Sequence, residues 1–239
     1  MAPTKEKSGT FAMKAPRYRA IPFGMKSLLL QSWLSYRKTF NLRDSFTFQG
    51  KTYNYLEHRY HATWITERGI ELPIFYDFVS QNADKNILEV GNVLSHYFPV
   101  NHDIVDKYEN DANVINQDIL DFHPNQKYDL IISISTIEHI GWDESPRDPD
   151  KVIRTVDHMK SLLAPNGKMV VSIPIGYNEH LDKLIDNNVI KFSKVHCFIR
   201  VARVNGWRET SWQEIRNAQY HQPFNNANAL VIGVIMSSK

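Results

Sequence analysis

Lys85-Asn86-Ile87-Leu88-Glu89-Val90-Gly91 is an apolar run of strand length that closes on an acid and a glycine. Ligands of an open parallel α/β sheet bind beyond the carboxyl ends of its strands, where a glycine lets the backbone come close. Further strand-like runs follow at residues 102–106, 114–119, 128–135 and 167–174. Most of these segments carry an acid or a small polar residue at or just past the end, which marks a ligand edge. Residues 150–163 space Val152, Ile153, Val156, Met159, Leu162 and Leu163 for one face of a helix. A shorter helix is expected over residues 178–185, strands within 190–204, and an uncharged central strand at Ala229–Met236.

The order of these motifs resembles the class I S-adenosylmethionine-dependent methyltransferases over about residues 84–236. In that family the first strand leads the methionine part of the cofactor over a glycine turn. An acid ending the second strand holds the ribose, and an acid near the third contacts the adenine. The resemblance therefore implies S-adenosylmethionine as cofactor, bound through Glu89, Gly91, Asp106, Asp118 and Ile119, with Asn92 and Ser133 beside them. Residues 133–140 are similar to the family's fourth motif, and residues 162–168 to its helix-to-strand turn before strand five. The implied fold class is α/β: a Rossmann-like methyltransferase sheet of about seven strands, mostly parallel with an antiparallel last strand.

Two departures shape the expectation. Asp106 follows Gly91 by fifteen positions and Asp118 follows Asp106 by twelve, too few for complete βαβ units of about 30 residues, so the early crossover helices must shrink to a turn or two. After Gly91 the chain reads Asn92-Val93-Leu94-Ser95-His96-Tyr97, without the family's further glycines. Two functions stay open. One is a methyltransferase acting on a small-molecule or glycan-type acceptor. The other is a methyltransferase-like binding or assembly module that has lost the cofactor.

Methyl transfer is an in-line displacement, so the protein must align donor and acceptor, and supply a base only where the acceptor loses a proton. His139, just past the fourth strand, is placed to be that base. Asp143 and Glu144 are placed to orient it, and Tyr177 to reach the same cleft. A competing reading makes Glu138 and His139 caps of a following helix and Asp143 its N-cap. By the resemblance, His61, Trp64, Glu67 and Arg68, ahead of the first strand, are candidates to line the pocket. No metal site is expected, because His96 and Asp103 match no ligand spacing. Neither a Gly-x-Ser-x-Gly elbow nor a Gly-Lys-Ser/Thr phosphate loop is present.

The 239 residues are 42% hydrophobic and carry a net charge of +2, too little to argue for a nucleic-acid partner. A single cysteine, Cys197, excludes an internal disulfide and suits a reducing cytosol, and with no transmembrane run or signal peptide the expected location is cytoplasmic. Residues 1–20 read as a disordered basic tail. Residues 25–40 form an amphipathic pattern suited to packing on this chain, on a second copy, or on an anionic membrane surface. Residues 45–55 alternate around Gln49-Gly50 as a hairpin, and Thr63 is expected to cap a helix reaching Gln81 with Pro73 bending it. Residues 21–83 are thus expected as an amino-terminal extension, and 84–239 as the α/β domain.

Overall fold

The computed structural model describes Ser32 and residues 44–237; the basic tail and, apart from Ser32, the amphipathic segment over residues 25–40 lie outside the described residues. The expected hairpin is β1 (Ser45–Phe48) and β2 (Lys51–Asn54). Gln49 and Gly50 turn it at φ 51° and 76°, the left-handed pair whose twist matches that of the flanking strands. A 3-10 turn over Tyr60–Ile65 leads into α1 (Arg68–Ser80). There follow β3 (Ile87–Val90), β4 (Asp103–Asp106), β5 (Ile115–Asn116), β6 (Tyr128–Ile134), α2 (Lys151–Leu162), β7 (Leu163–Pro174), α3 (Glu179–Asp186), β8 (Lys194–Ala202), β9 (Gly206–Thr210), α4 (Trp212–Ile215) and β10 (Ala229–Met236).

The sheet runs β5-β4-β3-β6-β7-β10-β8-β9. Pairing is parallel from β5 to β7 and antiparallel from β7 through β10 and β8 to β9. This is the Rossmann-like methyltransferase arrangement, with β10 inserted antiparallel as expected. The early crossovers are indeed reduced: among the described residues only a 3-10 turn, Leu94–His96, separates β3 from β4, and no helix separates β4 from β5. The eighth strand, β9, is an addition to the sequence reading. Gly206-Trp207-Arg208-Glu209-Thr210 has no apolar run because it is an edge strand that buries Trp207 and exposes Arg208. Tyr55 moors the hairpin side of the molecule to that edge, its Oη accepting from Trp207 N at 2.8 Å and donating to Trp207 O at 3.3 Å.

Successive side chains of a strand face opposite ways, so a strand buried on both faces reads as an unbroken apolar run. Leu88, Val90 and Ile131 turn to one face, where α2 adds Val152, Val156 and Met159. Ile87, Leu130, Ile132 and Ile134 turn to the other, covered by Ile70, Ile74 and Phe75 of α1 and by Phe46 and Phe48 of the hairpin. Helix α1 starts at Arg68, with Glu67 as its N-cap, four residues later than its sequence suggests. Thr63 does not cap it: its hydroxyl donates to Leu56 O and accepts from His58 N. Pro73 lies inside α1 without breaking it. Lacking an N–H, it leaves the Gly69 carbonyl free, and Leu56 N donates to that carbonyl at 3.1 Å.

Arg200 of β8 ties the ends of these elements together. Its residue is 5% exposed, and its guanidinium donates to five carbonyls: Ala202 at 3.2 Å, Asn225 at 2.8 Å, Ala227 at 3.3 Å, Ile65 at 2.7 Å and Arg203 at 2.6 Å. Five donors meet five acceptors, the full capacity of the group. Arg200→Met should therefore strand several buried carbonyls and lower stability by about 3 kcal/mol or more. Urea unfolding checks this: the midpoint should fall with an unchanged slope, and a loss under about 1 kcal/mol would deny Arg200 this role.

Candidate active site

The carboxyl ends of β3, β4 and β6 open onto a cavity of about 380 Å³, within the range of small-ligand sites. Val90, Val105, Ile119 and Ile140 supply apolar wall, and Asp106, Lys107, Asp118 and Glu144 a charged rim. Asp106 ends β4. Its Oδ1 accepts from the amides of Tyr108 at 2.8 Å and Glu109 at 2.9 Å, and its Oδ2 from the amide of Asn92 at 3.1 Å. A carboxylate has about four acceptor positions, so Asp106 keeps one in hand.

Asp118 caps the 3-10 turn Ile119–Asp121 through the Leu120 amide at 3.1 Å and meets Lys151 at 2.6 Å and Lys107 at 3.1 Å. Glu144 takes the same two lysines at 2.7 and 2.8 Å. Burial alone would raise Asp118, but hydrogen bonds from Lys151, Leu120 and Lys107 bring its carboxyl below the usual range. For Glu144, too, burial raises and the lysines outweigh it. Lys151 side-chain exposure is 11%, so this pairing is weakly screened.

Of the residues expected to hold a cofactor, Gly91, Asp106, Asp118 and Ile119 line this cavity, together with His139 and Asp143, while Glu89, Asn92 and Ser133 do not. Glu89 is fully buried. Its Oε1 accepts from the amides of Val93 at 2.8 Å and Leu94 at 2.9 Å, and its Oε2 pairs with His102 Nε2 at 2.8 Å. It holds the turn that a crossover helix would otherwise make. Asn92 joins that turn to Glu109, and Ser133 Oγ donates to Val90 O at 2.9 Å. Gly91 is required twice over, by φ +87° and by Thr136 Oγ1, which would lie 2.3 Å from a Cβ.

His139 also lines a second cavity, of about 430 Å³, with His61, Glu67, Arg68, Glu138, Tyr177 and Tyr220 among its walls. Trp64 is buried and not part of that lining. His139 Nδ1 lies 2.5 Å from Asp143 Oδ2, and Tyr177 Oη donates to the same oxygen at 2.6 Å. Burial pushes the Asp143 carboxyl up, but the bonds from His139 and Tyr177 carry it below the ordinary range. With Nδ1 donating, Nε2 is left as a proton acceptor. Neither Glu138 nor His139 caps a helix: α2 starts at Lys151 with Asp150 as its N-cap, so Asp143 is no cap either. Four non-glycine walls of this cavity, His61, Ala62, Ser135 and Asn226, have positive φ, and such strain gathers at functional sites.

Glu138 and Tyr220 escape sequence reading as site residues. Glu138 was visible only as an acid within the apolar Ile137-Glu138-His139-Ile140, and Tyr220 arrives on an aperiodic loop after α4. Among the described residues, no helix is long and apolar enough to cross a membrane.

A family model described as a methyltransferase domain matches residues 57–228, and the chain belongs to that family. Among solved structures, the 1,6-didemethyltoxoflavin-N1-methyltransferase of Burkholderia thailandensis is 12% identical, covering 95% of this chain and 94% of its own at a TM-score of 0.45. The N-methyltransferase NodS of Bradyrhizobium japonicum is 12% identical, covering 72% and 92% at a TM-score of 0.41. An S-adenosylmethionine-dependent methyltransferase of Clostridium acetobutylicum is 13% identical, covering 70% and 91% at a TM-score of 0.38. No curated protein matches the sequence.

The lysine–carboxylate network sets a pH dependence. Asp118 and Glu144 have depressed folded values, so their contribution is present above the unfolded carboxylate range and is lost as pH falls through the folded values. Wild type should therefore exceed Lys151→Met in stability most at neutral pH, with the gap narrowing below about pH 4. Thermal melts from pH 7 to pH 3 check this, and a gap independent of pH would assign the effect to packing of the lysine stem.

Proposed function

We propose that the chain is an S-adenosylmethionine-dependent methyltransferase whose first cavity takes the nucleoside end of the cofactor and whose second admits a small-molecule or glycan-type acceptor. The observation that carries this is the cavity at the carboxyl ends of β3 and β4, apolar in its walls and bordered by Asp106 and Asp118. The donor set suits a nucleoside: Asp106 has an unused acceptor position for a ribose hydroxyl, and Asp118 with Ile119 offers a polar edge and an apolar face to a base. The bulky turn after Gly91 does not count against it, because Glu89 draws Val93 and Leu94 inward onto its own carboxylate.

When bound, the cofactor supplies an electrophilic methyl group on a sulfonium. The chain's own residues do the rest. Asp106 and Asp118 fix the nucleoside, the two cavity walls exclude water, and His139 Nε2 accepts a proton where the acceptor must lose one. Asp143 holds His139 in the tautomer that leaves Nε2 unprotonated, and Tyr177 holds Asp143. Orientation of this kind, with a base already in place, is the main source of rate for a displacement that makes no covalent enzyme intermediate.

Calorimetric titration with S-adenosylhomocysteine tests the reading. The wild-type protein should bind it, and Asp106→Ala should weaken binding by about 1–3 kcal/mol if the carboxylate holds a ribose hydroxyl. No heat and no thermal stabilisation in the wild type would favour a binding or assembly module that has lost the cofactor. His139→Ala should leave that affinity nearly intact while slowing methyl transfer about a hundredfold, measured on the first acceptor from a labelled-methyl screen. Full turnover in that variant would remove His139 from the chemistry.

A further inference from the structure

The second cavity holds more buried acid than it can neutralise. Glu138 is 1% exposed and Glu67 8%, and both line it. Arg68, the cation of the same wall, is shared among three acids: Nη1 pairs with Glu71 Oε2 at 2.8 Å and donates to Ile134 O at 3.2 Å, while Glu67 and Glu138 feel its charge from farther off. Arg200 has spent its five donors on carbonyls. His61 is a weakened cation, since burial, then Arg68 and His96, lower its basicity. What remains for Glu67 is a long bond from the Ala227 amide at 3.4 Å. Glu138 Oε1 lies 3.6 Å from His139 Nε2, and its Oε2 has no hydrogen-bond partner among the described residues. A buried carboxylate without a partner costs several kcal/mol, and one in a cavity wall marks a candidate ligand site.

We infer that the second cavity is an amine site: the acceptor is a primary or secondary amine that enters as an ammonium ion, with Glu138 Oε2 as its principal partner and Glu67 as the second charge. The inference rests on the methyltransferase reading of the same site and adds the class of acceptor to it. An anionic acceptor would face two buried acids without a cation of their own, and a hydroxyl acceptor would bring no charge to compensate either. The rings of Tyr177 and Tyr220, edge to face with centroids 5.0 Å apart, give the same cavity aromatic surface that an ammonium favours.

The site also supplies what such a nitrogen needs in order to react. Burial, reinforced by Glu71 and Glu67 and opposed by Arg68, holds the Glu138 carboxyl well above the usual carboxylate range, and Glu138 Oε2 is the atom placed to take a proton from the ammonium. The freed lone pair then forms the N–C bond as the S–C bond of the methyl donor breaks, with that electron pair staying on sulfur. The products are the methylated ammonium, the neutral thioether and one proton, which passes from Glu138 by way of His139 to solvent.

Benzylamine, benzyl alcohol and benzoate share a ring and differ in charge, and titrating each into the protein saturated with S-adenosylhomocysteine tests the inference. Benzylamine should bind at least tenfold more tightly than benzyl alcohol, and benzoate not measurably. Glu138→Gln, nearly isosteric, should erase the preference for the amine while leaving S-adenosylhomocysteine affinity within twofold. A thermal melt confirms that this variant is folded, and Glu67→Gln, expected to reduce the same preference, takes its place if it is not. Equal or undetectable binding of all three probes overturns the inference. So does a tenfold loss of S-adenosylhomocysteine affinity with an unchanged response to benzylamine, which would give the carboxylates to the cofactor's own ammonium group. Failure of S-adenosylhomocysteine to bind the wild type would instead bring down the methyltransferase reading beneath it.

Discussion

A single buried guanidinium organises the end of the sheet where the second cavity lies. Arg200 draws carbonyls from residues 65, 202, 203, 225 and 227 onto one plane, and the charge is satisfied by peptide dipoles rather than by a hydrogen-bonded carboxylate. That choice matters because it leaves nearby Glu67 free of an ion pair. A salt bridge in its place would have neutralised one of the two acids in the cavity wall. The rings of Trp207 and Phe224, with centroids 5.9 and 5.2 Å from the guanidinium carbon, add cation–π contact to the same group.

At the other end of the site the constraint is shortage of chain. With no room for a helix after β3, the turn there is built from side chains: Glu89 gathers two amides and a histidine, and Asp106 gathers three amides from two loops. Carboxylates that accept several backbone N–H groups are strong fixtures in a low-dielectric interior. The acids at the strand ends thus hold their loops in place before any ligand arrives, which is a reason to keep them independent of catalysis.

How far this was legible in the sequence follows from how local each signal is. The unbroken apolar runs of β3, β6 and β10 and the helical spacing of Val152, Val156 and Met159 read correctly, because periodicity is a property of a few neighbouring residues. The cavity positions of Asp106, Asp118 and His139 also followed, since position at a strand's carboxyl end is itself a local fact. Glu89 shares that strand yet turns inward, and nothing in Ile87-Leu88-Glu89-Val90 says which way it faces. Thr63 reads as a helix cap but spends its hydroxyl on Leu56 and His58, partners set by the tertiary path. The surroundings of Glu138 bring residues 67, 68 and 71 to it from about seventy positions away, and the five partners of Arg200 run from two positions away to 135, beyond any window of pattern or propensity.

His139 belongs to the wall of both cavities, and two sites that share a wall are not thermodynamically independent. An occupant of one that fixes the imidazole changes the shape the other presents, and by linkage the second occupant must act back on the first by the same factor. Through the bond to Asp143, which Tyr177 also holds, the ring can be biased from either side without moving the sheet. The shared side chain therefore ties the affinity of each cavity to the occupancy of the other.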